Sequence, residues 1–217
     1  PYVARRKYWD LYEGIAELDP PVEDLGYANQ DPHSRRLIDA CDSHKFDITR
    51  ETVRRARQGY FANISYIDDK VGDLLETLRT TRMLDNTIVL FTSDHGDMLG
   101  ERGLWFKMSF FEGSARVPLM VAGPGVTPRL VSAPVSTLDI NPTLADLAGI
   151  DIGEILPWTD GESLVPLMQG GKRTTPVLME YTAEGSQAPL VCIREGDWKF
   201  IHCEADPPML FNLVNDP

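Results

Sequence analysis

The longest regular pattern in the chain begins at Thr49 and predicts a helix. Apolar residues recur from there at steps of three and four, the spacing of one face of an α-helix. They are Val53, Ala56, Tyr60, Ile64, Ile67, Val71, Leu74 and Leu78. Thr49 or Asp47 can accept a backbone hydrogen bond at the start of this helix, and residues 83–86 end it. We expect it to be the longest element of the protein.

The run TIVLFT follows that helix and predicts a strand. It contains the β-branched residues Thr87, Ile88 and Val89, and such a run after a long helix is typical of a strand buried on both faces of a parallel sheet. A Gly-containing loop is predicted over residues 96–112, and a second short buried strand over 117–122. The alternation of helix and strand indicates an α/β fold.

The segments before and after this region show other patterns of apolar and polar residues. Roughly the first 48 residues resemble an irregular surface excursion, with one short amphipathic helix over residues 3–18 and then turn signals. Ser136 or Thr137 can cap a helix that ends at Gly149, and another helix is predicted over 162–168. Strands are then predicted over 177–181, 190–194 and 199–203.

These patterns together predict an α/β fold with a domain boundary near Gly170. Residues 1–170 would hold part of a mostly parallel sheet with flanking helices. Residues 171–217 would form a small antiparallel β subdomain.

Charge and composition narrow the function classes. The 217 residues carry 21 Lys and Arg against 33 Asp and Glu, a net charge of −12, which argues against nucleic acid as a partner. No apolar stretch approaches the roughly 20 residues that cross a bilayer, so no membrane partner is expected. The three cysteines, Cys41, Cys192 and Cys203, have neither CxxC spacing nor a disulfide framework, which favours reduced thiols and a cytoplasmic location.

The first candidate site is Asp94-His95-Gly96, directly after the predicted strand over residues 88–92. Open α/β sheets place ligands and catalytic groups at the carboxyl ends of strands. A carboxylate and an imidazole side by side can both face a divalent cation, and Gly96 lets the chain turn sharply. In the alternative interpretation Asp94 caps a turn while His95 packs or points to solvent.

The second candidate is Lys107, in the segment GLWFKMSFFEG. A lysine among so many aromatic and apolar residues would need an anion if its ammonium were desolvated, and an anionic substrate would satisfy it. The alternative is a lysine whose stem covers aromatic surface while its amine reaches water. The glycines of this region form neither a GxGxxG motif nor a P-loop, and we assign surface or packing roles to His33, His44 and His202.

Several segments resemble the sulfatases of the alkaline phosphatase superfamily, and most of all the choline sulfatases. These segments are YFANISYIDDKVGDLLETLR, TIVLFTSDHGDMLGERGLWFKMSFFEGSARVPLMVAGPG, VSTLDINPTLADLAGI, DGESLVPLM, EYTAEG and LFNLVNDP. The resemblance covers essentially the whole chain. It implies an alkaline phosphatase-like fold and hydrolysis of a small-molecule sulfate ester, choline sulfate in the first place.

The resemblance also implies roles for individual residues. Asp94 and His95 would bind one divalent metal ion, usually calcium in sulfatases. Many sulfatases carry Asn in place of His95, and a nitrogen ligand suits manganese or zinc better. Lys107 would be the catalytic lysine that contacts the sulfate and its ester oxygen. Glu184 in EYTAEG is our candidate for binding the choline cation, against the alternative of an exposed loop carboxylate.

The family nucleophile, a formylglycine made within a C/S-x-P-x-R motif, is not found here. Cys41, Cys192 and Cys203 are followed by DSHK, IREG and EADP. We therefore expect the chain to be the C-terminal part of a sulfatase, inactive without the N-terminal part of the same enzyme. Homo-oligomers are common in the family. The alternatives are a phosphatase or phosphonate monoester hydrolase of the superfamily, and a non-catalytic fragment or assembly module.

Overall fold

The computed structural model of the protein describes residues 3–15, 18–155 and 157–215. Two compact units form. The first contains residues up to Pro124 together with Ala183–Gly185, and the second contains Gly125–Thr182 and the residues from Ser186 onward. The domain boundary that the sequence indicates near Gly170 remains a prediction.

The opening of the chain is more ordered than its sequence predicts. Helix α1 covers Arg6–Trp9 and runs into a 3₁₀ turn over Asp10–Tyr12, within the helix predicted over residues 3–18. Residues 16 and 17 of that prediction lie outside the described residues. A second helix, α2 (Pro32–Ala40), falls where the sequence predicts an irregular excursion, and its residues His33, Ser34 and Leu37 are buried. The prediction of a surface excursion is therefore wrong for this segment.

The dipeptide Asp31-Pro32, which resembles a turn signal in the sequence, starts helix α2. The Asp31 side chain accepts a hydrogen bond from the backbone N–H of Ser34 at 3.0 Å, so it is the N-cap of the helix. Pro32 occupies the first helical position, where its missing N–H costs nothing. Both residues are typical of a helix start.

The long helix is confirmed as α3, over Arg50–Thr80, with the Thr49 side chain as its N-cap. Its buried face differs from the predicted one. The buried positions are Arg57, Gln58, Gly59 and Ala62. Ile64, Ile67 and Leu74 of the predicted apolar face are 46%, 47% and 66% exposed. This face is buried because the α1 region packs against it. At that contact, Gln58 Nε2 donates to Trp9 O at 3.0 Å.

The predicted pair of strands after α3 forms, with a different pairing. Strand β1 covers Val89–Thr92, and two short strands, β2 (Met98–Leu99) and β3 (Trp105–Phe106), make an antiparallel hairpin within the predicted loop. The four-residue helix α4 (Glu112–Ala115) precedes β4 (Leu119–Ala122), and β4 pairs with β1 antiparallel.

The expected parallel pairing and full burial are therefore wrong for this pair of strands. Parallel neighbours need a long crossover, usually a helix, whereas the hairpin and α4 return the chain beside β1 in the opposite direction. All residues of β1 are partly exposed, and Met120 of β4 is 57% exposed.

The second unit combines short helices with an antiparallel sheet. Helices α5 (Ile140–Leu147), α6 (Ile152–Ile155) and α7 (Val165–Met168) precede the strands β5 (Val177–Tyr181), β6 (Leu190–Glu195), β7 (Trp198–Cys203) and β8 (Asp206–Asn212). The strands pair in chain order and antiparallel, which confirms the antiparallel sheet predicted for this part of the chain. Ser136 caps the first helical turn, as predicted, and Gly149 follows α5 with φ +70°.

Two further sequence expectations concern thiols and membranes. Cys41, Cys192 and Cys203 form no disulfide bond within the described residues, consistent with the reduced thiols that their spacing predicts. Within the described ranges, no helix has the length and apolar character needed to cross a membrane.

Asp139 is the polar centre of the second unit. Its side chain is fully buried and accepts hydrogen bonds from the backbone N–H groups of Ser136 at 2.7 Å and Glu162 at 2.8 Å. The Arg173 guanidinium, 7% exposed, donates to the same carboxylate at 2.5 Å. A buried charge without a partner is costly, so Asp139 and Arg173 depend on each other. Through Glu162 and Arg173, Asp139 ties the segments before α7 and before β5 to the start of α5.

Replacing Asp139 by Ala should strip Arg173 of its partner and lower the free energy of unfolding by about 3–5 kcal/mol. Urea denaturation followed by tryptophan fluorescence measures this change. Asp160, which is exposed, offers the control: D160A should change the free energy by less than about 0.5 kcal/mol. Equal effects of the two substitutions would contradict the structural role of Asp139.

Candidate functional site

The segment that leaves β1 is a tight polar turn over residues 93–96. The Ser93 hydroxyl donates to the carbonyl of His95 at 2.8 Å, and the backbone N–H of His95 donates to Asp94 Oδ1 at 2.9 Å. This N–H bond is the main reason that the pKa of the Asp94 carboxyl lies below its usual value. Asp94 is therefore held as a carboxylate, and its side chain is 83% exposed.

The hydrogen bonds of His95 select one tautomer of its ring. Nδ1 lies 2.8 Å from the carbonyl of Gly96, and because a carbonyl only accepts, the neutral ring carries its proton on Nδ1. The lone pair of Nε2 is then available, 3.4 Å from Asp94 Oδ2 and 3.2 Å from the Lys107 ammonium. The structure thus brings together the three residues Asp94, His95 and Lys107.

The surroundings of Lys107 differ from those the sequence suggests. Lys107 is exposed and its neighbour Phe106 is 51% exposed, whereas Leu104, Phe110 and Phe111 are buried. The ammonium is therefore not desolvated among aromatic rings, and the alternative of a lysine that reaches water describes its environment. Phe106 adopts φ +68°, a left-handed conformation that is uncommon for a bulky residue. Such strain is often found at functional sites.

Ser114, 2% exposed, joins the two halves of this site. Its carbonyl accepts the backbone N–H of Gly96 at 2.8 Å, and its hydroxyl donates to the carbonyl of Lys107 at 2.5 Å. The fit leaves no space at Gly96, where a Cβ atom would lie 2.2 Å from the carbonyl oxygen of Gly113. Backbone packed this closely requires glycine.

Asp94 Oδ2 and His95 Nε2 are arranged as two ligands of one cation could be. Metal–ligand bonds of about 2.0–2.5 Å place adjacent ligands roughly 3 Å apart, close to the observed 3.4 Å. The carbonyl of Gly96 on Nδ1 fixes the orientation of the ring, as a hydrogen bond to the second ring nitrogen does for histidine ligands of metals. Across the described part of the chain, no group of three or more His, Cys, Asp or Glu could hold a metal. These two side chains fit part of a coordination sphere.

Glu184 is exposed and lies on the three-residue segment Ala183–Gly185, which belongs to the first unit. Helix α2 holds this segment: Arg36 Nε donates to the carbonyl of Gly185 at 2.5 Å. Its role in binding stays a prediction.

Two serines shape the site without having stood out in the sequence. Ser93 and Ser114 hold the turn and the Lys107 backbone through their hydroxyls. Small hydroxyl residues are common in loops, so composition gives no signal for them. His33, for which the sequence predicts a surface or packing role, is buried, with 4% of its surface exposed.

Comparison with known proteins identifies the family of the chain. The sequence model of the family described as Sulfatase matches residues 25–150, more than half of the chain. A second model, described as the C-terminal region of N-sulphoglucosamine sulphohydrolase, matches residues 100–217. Asp94, His95 and Lys107 all lie within the first match.

Among curated relatives, a choline-sulfatase of Rhizobium meliloti is 64% identical over 217 residues, which is all of this chain and 42% of that protein. The arylsulfatase K of Danio rerio is 39% identical over 190 residues, 81% of this chain and 34% of that protein. The chain thus spans less than half the length of these relatives.

The solved structures agree with the fold. A phosphonate monoester hydrolase of Agrobacterium radiobacter superposes with a TM-score of 0.69 at 29% identity, over 79% of this chain and 37% of that one. A 2-O GAG sulfatase superposes with a TM-score of 0.74 at 26% identity, over 92% of this chain and 46% of that one. The α/β class and its alkaline phosphatase-like architecture are thereby confirmed. With both halves of the sequence matched and the fold shared, the chain belongs to the sulfatase family.

Proposed function

We propose that this chain is the C-terminal part of a sulfuric ester hydrolase that cleaves choline sulfate to choline and sulfate. The observation that carries the proposal is the convergence of Asp94, His95 and Lys107 at one turn, with Lys107 Nζ 3.2 Å from His95 Nε2. The 64% identity to a choline-sulfatase supports this choice of substrate. The nucleophile, a formylglycine, would lie outside this chain, so the chain alone would be inactive.

Lys107 would be the catalytic cation. Its exposed ammonium can approach the leaving oxygen of a bound sulfate ester and offset the negative charge that develops as the bond to sulfur breaks. The hydrogen bond from Ser114 to the Lys107 carbonyl would hold the backbone of this lysine while its side chain moves from His95 to the substrate.

Asp94 and His95 would hold a divalent metal ion, with calcium the first choice from the family and manganese or zinc the alternatives that a nitrogen ligand favours. When bound, the ion would stabilise negative charge at the reacting group. The residues present support the proposal through the Nδ1–H tautomer of His95, which turns the lone pair of Nε2 toward Asp94 Oδ2. The other ligands would come from the N-terminal part of the enzyme.

The cation of choline sulfate would be recognised by Glu184. This residue is exposed, on a segment whose backbone is held by Arg36 at the next residue, Gly185. A carboxylate can attract a quaternary ammonium through charge alone, without hydrogen bonds. The acidic balance of the chain, with a net charge of −12, also favours a cationic over an anionic tail on the substrate.

A phosphonate monoester hydrolase is the second candidate. The superposition with the enzyme of Agrobacterium radiobacter favours it, since a metal and a lysine suit any tetrahedral oxyanion. The proposal also includes a cytoplasmic location, supported by three cysteines that form no disulfide bond, and a homo-oligomeric state.

Substrate comparison separates these candidates. The complete enzyme should hydrolyse choline sulfate with a kcat/KM at least about tenfold above that for a phosphonate monoester, a difference of about 1.4 kcal/mol in transition-state binding. The isolated chain of 217 residues, shown to be folded by circular dichroism, should turn over neither. Preference for the phosphonate would overturn the proposed activity on choline sulfate. Turnover by the isolated chain would refute the proposal that the nucleophile lies outside it.

Removing the ammonium of Lys107 should slow the reaction without unfolding the protein, because the side chain is exposed. We expect K107A to lower kcat by on the order of 10²–10³, as loss of one preorganised charge-stabilising group does. K107R, which keeps the charge, should retain part of the activity. Lys70, paired with Asp73 on α3, gives the control K70A with unchanged kinetics. Wild-type kcat in K107A would rule out the assigned role.

Metal dependence tests Asp94 and His95. Chelation should abolish activity of the complete enzyme, and adding back calcium, manganese or zinc separately identifies the ion. H95A should weaken metal affinity, measured by titration calorimetry, by about 10-fold or more. H44A provides the control, because His44 is exposed and lies near Asp39. Unchanged metal affinity in H95A would exclude this residue as a ligand.

A further inference from the structure

Helix α2 contacts the two segments that carry Lys107 and Glu184. From its first turn, His33 places Nε2 2.8 Å from the carbonyl of Met108, the residue after Lys107. One turn later, Arg36 Nε donates to the carbonyl of Gly185, the residue after Glu184, at 2.5 Å. Both contacts lie within the first compact unit.

The chemistry of these contacts assigns a donor to each carbonyl. A carbonyl oxygen only accepts, so His33 donates from Nε2 to Met108, while the guanidinium of Arg36 supplies the donor for Gly185. His33 Nδ1 lies farther from the carbonyl of Gly185, at 3.3 Å. His33 is 4% exposed, and a buried hydrogen bond is costly to leave unmade.

Helix α2 is itself firmly anchored. Its N-cap Asp31 accepts from the backbone N–H of Ser34 at 3.0 Å and from the Ser34 hydroxyl at 2.5 Å. Gln30, 2% exposed, donates to the carbonyl of Arg102 in the hairpin that precedes Lys107. The helix therefore has a defined position relative to that hairpin.

Gly185 fits closely against the helix. It has φ +76°, and a Cβ atom at this position would lie 2.8 Å from Leu37 Cδ2. A side chain here would be strained and would push residues 183–185 away from α2. The loop is thus held against α2 by close packing on Leu37 and by the hydrogen bond from Arg36.

From these contacts we propose that α2 is a brace, with His33 and Arg36 as positioning residues that fix Glu184 relative to Lys107 and so determine specificity for cationic sulfate esters. This inference rests on the proposed function of Lys107 and Glu184. Neither positioning residue is assigned contact with the substrate. Arg36 acts on the loop whose carboxylate would bind the cation. His33 acts mainly on the backbone beside the lysine, through its shorter contact with Met108, and also reaches the loop at Gly185.

The test compares choline sulfate with neohexyl sulfate, its uncharged isostere in which carbon replaces nitrogen, on the complete enzyme. R36A should raise KM for choline sulfate about tenfold, with kcat and the neohexyl sulfate KM changed less than about threefold, since only binding of the cation depends on the loop. R36K, which restores a donor, should recover part of the loss. H33A removes contacts with both segments, so it should lower kcat for both esters and also raise KM for choline sulfate.

A second variant disturbs the packing of the same loop on α2. G185A should raise KM for choline sulfate selectively, as R36A does, because it pushes the loop off Leu37. G14A is the matched control: Gly14 has the same φ, +76°, but a Cβ atom added there would meet nothing within 4 Å, so kinetics should stay unchanged. The R36A and E184Q effects should be non-additive in a double-mutant cycle, since both act through one carboxylate.

The outcomes separate the two proposals. If the wild-type enzyme does not prefer choline sulfate to neohexyl sulfate, the assignment of a cationic substrate fails, and the brace fails with it. If the wild type shows the preference but R36A and G185A affect both esters equally, or add to E184Q, the inference is overturned while the proposed function stands.

Discussion

The candidate site depends on Ser114, a buried residue with two hydrogen bonds that point in different directions along the chain. Its carbonyl holds the turn that carries Asp94 and His95, and its hydroxyl holds the backbone of Lys107. Lys107 lies twelve positions after His95 in the sequence, yet Nε2 and Nζ are 3.2 Å apart. Without a fixed point between them, the half-buried His95 ring and the exposed Lys107 side chain would lose this arrangement to conformational entropy.

The same constraint explains where glycine is required. The Gly96 turn packs directly on the backbone at Gly113, and any side chain there would force the turn away from Ser114. The hairpin of β2 and β3 brings the chain back from that turn to Lys107, and its strained residue Phe106 immediately precedes the lysine. Local strain and close packing thus position groups that chemistry requires to be exposed.

Much of the fold followed from sequence because its signals were local. The α3 helix has a Thr49 cap and strict periodicity, and the C-terminal strands alternate around clear turns. Pairing and burial were less predictable. The antiparallel pairing of β1 with β4 depends on a hairpin between them, and α3 buries Gln58 and Ala62 because α1 packs there, which periodicity cannot reveal. The strand-end rule indicated Asp94 and His95, and the aromatic neighbours of Lys107 together with the resemblance indicated that lysine, but Ser114 had no signal of its own.

Asp94, His95 and Lys107 are proposed to act together on one sulfate group. Anomalous diffraction from crystals of the complete enzyme with bound metal and sulfate tests this most directly. We expect one ion within about 2.0–2.5 Å of Asp94 Oδ2 and His95 Nε2, with Lys107 Nζ moved from His95 onto a sulfate oxygen. An ion bound elsewhere, or a lysine still on His95 beside a bound sulfate, would contradict the proposal.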